Sequence, residues 1–284
     1  MTRKESIRLL LGATLSHEWQ LKAALRTLRE KGEVPPERWS LLLSGVPEDT
    51  GPMGSRLKAE FPGVQVITAR PNRPEFQFLA PAMERKLFAL YFDYLRAWAW
   101  REISVPYLWI DSDVLVRGRL ELDRIPQAPL AMAADFPTRG IPNADFHHRM
   151  WSAYGQMLKA TGSAELTARH DSSGQPQNLN CGVLYVGEDL GPDWRRAFED
   201  CLSILPRYKE LISPPAKYAA GAESTFGQGI WNVLYSGRGG KELDWRWNNL
   251  KMVYPARQGT IDHYAVDKDA FCRDAKALGV IEED

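Results

Sequence analysis

Residues 107–116 read Tyr107-Leu108-Trp109-Ile110-Asp111-Ser112-Asp113-Val114-Leu115-Val116. An apolar run leads into two carboxylates one residue apart, and a second apolar run follows. The first run predicts a buried strand, Tyr107 to Ile110, ending on Asp111. Aspartate is poor inside strands, and an unpaired buried carboxylate is costly, so the pair belongs where the strand opens into a cleft. A hard divalent cation suits such a place, because it takes oxygen ligands and can hold diphosphate oxygens as well. The competing reading is a surface turn with two solvated aspartates. The long apolar strand before the pair favours the cleft.

Outward from this stretch, strand and helix patterns alternate. Ile7 to Leu11 reads as a buried strand, and Ser16 is placed to cap the helix that follows. Leu21, Leu25 and Leu28 repeat at helical spacing, and Gly32 supplies a stop. Trp39 to Ser44 is the next strand, followed by PEDTGPMG, residues 47–54, which reads as turn. Val64 to Ile67 is a third strand. A helix is expected from about Ala82 to Trp100, with Leu87, Leu90, Tyr91, Tyr94, Leu95 and Trp98 along one face. Leu130 to Ala133 and Gly182 to Val186 are further strands, Asp193 to Leu205 an amphipathic helix, and Ser224 to Tyr235 another helix. Ser213-Pro214-Pro215 breaks the chain, and the tail after Tyr264 is charged and weakly patterned. The alternation predicts an α/β fold with a mostly parallel sheet flanked by helices, in which ligands bind beyond the carboxyl ends of strands.

The totals exclude several classes. The chain has 284 residues, 44% of them hydrophobic, enough for one large α/β domain. Its formal net charge is zero, so no field of one sign is available to hold a nucleic-acid backbone. No apolar stretch approaches a membrane span or a signal segment, and the three cysteines, Cys181, Cys201 and Cys272, have no zinc-type spacing. A cytoplasmic protein is expected.

At the Asp-x-Asp, the sequence resembles the GT-A glycosyltransferases, in the neighbourhood of the family 8 enzymes. Further segments match in order. Asn180-Cys181-Gly182-Val183-Leu184 resembles the family's Asn-x-Gly-Val-Leu strand, and Gly227-Gln228-Gly229-Ile230-Trp231-Asn232 its Asp-Gln-Asp-x-x-Asn helix start. Leu243 with Trp247-Asn248 resembles Leu-Pro-x-x-Trp-Asn, and His263-Tyr264 resembles the late histidine that completes the metal site. The matches cover roughly residues 80–265. Glycine stands at 227 and 229 where the family has acids.

The resemblance implies a GT-A fold over 1–284. About 1–115 would form the nucleotide-sugar half, 116–265 the acceptor and metal-completing half, and 266–284 a tail. It implies Mn²⁺ or Mg²⁺ held by Asp111, Asp113 and His263, with Mn²⁺ favoured by the imidazole. The donor, a nucleotide diphosphate sugar, UDP-linked by preference, would meet Arg85, Lys86, Ser112, Asn180 and Gly182. Trp247 and Asn248 would face a glycan, lipid-linked or small-molecule hydroxyl acceptor. A retaining reaction would place Gln228 under the sugar, with Glu223 as substitute acid for the missing residue at 227. His170-Asp171 is a further acceptor candidate, and His147-His148 with Asp145 a weak second metal site. Three rivals remain at this point: a haloacid-dehalogenase-type phosphatase using Asp111 as nucleophile, a nucleotidyltransferase, and an inactive GT-A binding protein.

Overall fold

A computed structural model describes residues 6–45, 47–81, 88–104, 106–134, 144–162, 179–212, 225–251, 254–265 and 267–281. Seven strands form the main sheet: β1 (Arg8–Thr14), β2 (Trp39–Ser44), β3 (Gln65–Ala69), β4 (Tyr107–Asp111), β6 (Leu130–Ala134), β7 (Leu179–Val186) and β8 (Lys241–Leu243). Their order is β3-β2-β1-β4-β7-β6-β8. The sheet is parallel from β3 through β4 and again between β6 and β8, while β7 runs antiparallel to both β4 and β6. Three short strands, β5 (Val114–Val116), β9 (Asn249–Leu250) and β10 (Ile261–His263), form a second sheet in the order β5-β10-β9.

Nine α-helices lie among the described residues: α1 (Glu18–Lys31), α2 (Pro47–Glu60), α3 (Phe88–Trp98), α4 (Trp100–Ile103), α5 (Ala144–Ala160), α6 (Gly191–Cys201), α7 (Tyr208–Ile212), α8 (Thr225–Gly237) and α9 (Lys268–Ala277). The strand period of two divides the core between the faces of the main sheet. Leu10, Leu42, Trp109 and Leu184 point to one face and pack with side chains of α3, α5, α6 and α8. Leu9, Leu11, Leu41, Leu43, Leu108, Ile110 and Val183 point to the other, against α1 and α2. Every residue of β7 is buried, as expected of a strand covered on both faces.

The structure changes three local readings. The segment PEDTGPMG opens helix α2 rather than forming a turn. Proline fits a helix start, and burial of Thr50, Met53 and Leu57 outweighs the hydrogen bond that Pro52 forfeits inside it. Ser16 does not cap α1. Its hydroxyl lies 2.9 Å from Thr14 Oγ1 in a 3₁₀ turn, Leu15–His17, and α1 starts at Glu18 without a side-chain cap. The tail holds a true helix, α9, capped by Asp267, whose carboxylate accepts from the Ala270 amide at 3.0 Å. Its Phe271 and Ala275 pack with Ala23, Leu115, Tyr264 and Val280.

That last cluster clamps the small sheet onto α1. Phe271→Ala should therefore destabilise the protein by about 3–5 kcal/mol, the usual cost of deleting a buried phenyl ring. Urea unfolding followed by far-UV circular dichroism measures it, and a loss below about 1 kcal/mol would show that α9 is not part of the cooperative core.

Candidate active site

A cleft of about 480 Å³ opens at the carboxyl ends of β1 and β4. Ligand crevices of parallel sheets lie at such ends. Asp111 is the last residue of β4 and pairs with Gly12 of β1. The turn through Ser112 and Asp113 leads into β5, and β5 pairs antiparallel with β10. In that register His263 sits opposite Val114, and the Tyr264 amide donates to the Asp113 carbonyl at 3.0 Å. Three residues of backbone pairing thus bring a side chain from position 263 to the Asp-x-Asp. Asp111, Asp113 and His263 each present a ligand atom, all within 4.8 Å of one another.

A chain of hydrogen bonds sets the state of the imidazole. The backbone N–H of Gly182 donates to Asn180 Oδ1 at 2.7 Å, which fixes that amide's orientation. Asn248 donates its Nδ2 to the same oxygen at 2.8 Å, so its Oδ1 faces His263 Nδ1 at 2.9 Å. Nδ1 must then carry a proton. His263 Nε2 lies 3.3 Å from Asp113 Oδ1, where it either donates as an imidazolium or, when neutral, directs a lone pair toward a cation shared with the carboxylate. Glycine is required at position 182 because a Cβ would overlap the His263 ring.

Asp111 is held as firmly. Arg96 Nη2 donates to its Oδ1 at 2.7 Å and its Oδ2 at 2.9 Å, and Trp109 Nε1 donates to Oδ1 at 2.7 Å. Arg96 Nη1 reaches Asp93 and, at 3.1 Å, Cys181 Sγ. Burial pushes the Asp93 carboxyl up to about 6, against the pull of Arg96. Burial disfavours the Arg96 charge too, but Asp111, Cys181 and Asp93 together raise its affinity for the proton. Asp93 lies directly over Gly227, where a Cβ would overlap its carboxylate. A carboxylate from another helix thus fills the space that a side chain at 227 would take.

Of the sequence candidates, Asp111, Ser112, Asp113, Asn180, Gly182, Gln228 and His263 all line the cleft. Trp247 does not. It packs in the core beside Ala131, Ala133 and Leu243. Asn248 is buried behind His263, where it orients the ring instead of facing the cleft. Arg85, Lys86, Glu223 and His170-Asp171 lie outside the described residues, as do the side chains of Asp145 and His147-His148. Sequence reading missed Asp93, Arg96, His17 and Lys268, all of which line the cleft. Two charges interrupting the apolar helix LYFDYLRAW, residues 90–98, were the available signal for Asp93 and Arg96. His17 Nδ1 lies 2.6 Å from Thr14 Oγ1, and its affinity for a proton is lowered by burial and by Lys268, partly opposed by Asp113.

This fold is shared with glycosyltransferases of known structure. The galactosyltransferase LgtC, in complex with donor and acceptor sugar analogs, superposes with a TM-score of 0.54 at 16% identity, covering 98% of each chain. An active-site mutant of LgtC matches with a TM-score of 0.52 at 15% identity, again over 98% of each chain. The fold is GT-A. No family model matches the chain, and no curated protein matches its sequence. Among the described residues no helix is long and apolar enough to cross a membrane.

Two carboxylates and an imidazole with an oriented outer partner form a donor set suited to a divalent cation. If Asn248 orients His263 for that purpose, Asn248→Ala should weaken Mn²⁺ binding about 10–100-fold, the usual effect of removing an outer-shell partner. Calorimetric titration with MnCl₂ measures this. An unchanged affinity would mean that Asn248 only fills space.

Proposed function

We propose that this chain is a glycosyltransferase that moves a sugar from a nucleotide diphosphate sugar, UDP-linked by preference, to a hydroxyl acceptor. One observation carries the reading: Asp111, Asp113 and His263 converge in the cleft at the end of β4, within a GT-A fold. The galactosyltransferase of the same fold was solved with donor and acceptor sugar analogs, which supports the same partner classes for this chain. Asp111, Asp113 and His263 would hold the cation. When bound, Mn²⁺ or Mg²⁺ acts as a Lewis acid that neutralises charge developing on a leaving diphosphate.

The chain's own residues do the rest. By bonding Nδ1, Asn248 leaves the Nε2 lone pair of a neutral His263 free for the cation it would share with Asp113. Arg96 and Trp109 hold the Asp111 carboxylate still. Gln228, in the first turns of α8, lines the cleft and would offer its carbonyl oxygen to positive charge on the sugar ring. We read the reaction as retaining on that basis. Asp93 over Gly227 keeps a carboxyl group beside Gln228, so no acid from position 223 is needed to fill the gap. A phosphatase reading needs Asp111 as a nucleophile. The GT-A fold, with His263 brought beside the two carboxylates, disfavours that reading.

A thermal-shift panel of nucleotide sugars with and without MnCl₂ tests the binding claim, since a ligand of the native state raises the melting point by mass action. A UDP-sugar should stabilise the protein more with Mn²⁺ than without. Asp111→Asn and Asp113→Asn should each abolish donor turnover with the circular dichroism spectrum unchanged. Near wild-type turnover in both variants would end the reading. NMR of the product's anomeric proton, recorded early, should show retention. An inverted product would mean that Gln228 does not sit under the sugar.

A further inference from the structure

Asp111 is crowded in a way that an aspartate awaiting a cation need not be. A carboxylate has about four lone-pair sites on its two oxygens. In Asp111, Oδ1 accepts from both Trp109 and Arg96, and Oδ2 accepts from Arg96. One site on Oδ2 is left. The clamp is rigid at its far end as well. Arg96 is buried, its guanidinium lies 5.3 Å from the Trp109 ring centroid, and Nη1 is anchored by Asp93 and Cys181. Asp93 in turn occupies space that exists only because residue 227 has no side chain.

Divalent cations differ in what they ask of a carboxylate. Ca²⁺ is large and flexible and often takes both oxygens, whereas Mg²⁺ demands near-octahedral geometry with short bonds and takes one. A carboxylate pinned with one site free meets the second demand and frustrates the first. We propose that Arg96, seated by Asp93 over Gly227, is a positioning residue that restricts Asp111 to a single oxygen for the cation and thereby selects small cations over large ones. This device rests on the metal-dependent glycosyltransferase reading and adds cation selectivity to it. The charge of Arg96 is not enough for this role. A lysine in its place would keep the charge but could not span Asp93 and both oxygens of Asp111, because an ammonium lacks the planar fork.

The test uses the whole chain and Mn²⁺ as the probe. Bound Mn²⁺ is followed by electron paramagnetic resonance and displaced by CaCl₂ or by MgCl₂, which yields a Ca²⁺/Mg²⁺ affinity ratio that does not depend on turnover. In Arg96→Lys the ratio should rise about tenfold, the lower end of what outer-shell changes do to metal affinity. The three atoms nearest a Cβ at 227 all belong to Asp93, so Gly227→Ala displaces Asp93 and should move the ratio in the same direction. If Arg96→Lys fails to fold, Gly227→Ala decides alone. Ratios equal to wild type in folded variants overturn the proposal. They leave the glycosyltransferase reading standing if the wild-type chain binds Mn²⁺ and a UDP-sugar. A wild-type chain that binds no divalent cation overturns both.

Discussion

The antiparallel pairing of β5 with β10 is the constraint on which the site depends. Asp111 ends β4 and Asp113 follows by simple chain continuity, and any strand end in a parallel sheet could display them. A third ligand from residue 263 is a different matter, since about 150 residues separate it from Asp113. Three residues of register, Ile261 to His263 against Val116 to Val114, close that distance. The pairing is reinforced from outside. Arg117 bonds Asp262 at 3.1 Å and Asp274 at 2.9 Å, and Tyr264 donates to Asp274 at 2.6 Å. Helix α9 thus holds the small sheet from behind while the cleft stays open in front.

Behind the cleft, buried polar groups form two separate orienting systems. One runs from the Gly182 amide through Asn180 and Asn248 to His263. The other runs from Asp93 through Arg96 to Asp111. Buried charges are tolerated when they are paired and hydrogen-bonded. Removing one member would leave its partner buried without compensation, which is why single truncations in such systems cost more than the bond itself. Both systems end on a residue of the Asp-Asp-His group, so the burial of these polar groups is expressed as fixed geometry at that group.

Legibility in the sequence follows length and period. Strand β2 is readable to its last residue, and β4 is readable because an apolar run ends on a carboxylate. The strands β8, β9 and β10 have two or three residues, too few for a period to register. His263 is found through the order of motifs and not through its own strand. Arg96 and Asp93 escape because charges on a helix are ordinarily solvated, and nothing local says that this helix is buried on the side that carries them. The turn-like composition of residues 47–54 misleads for a related reason. Local propensity favours a loop, and tertiary burial of Met53 and Leu57 overrides it.

The contact between Asp93 and Gly227 also limits how the chain can change. The two positions share a single volume, so a carboxylate can stand on α3 or on α8 but not on both. Substitutions there are strongly non-additive: an aspartate introduced at 227 clashes while Asp93 remains, and removing Asp93 alone strands Arg96 beside an empty space. A path between the two arrangements must pass through an intermediate worse than either end, or change both residues together. Replacing residues 88–98 or residues 225–237 of this chain alone with a segment of the opposite arrangement would therefore introduce either a void or a collision.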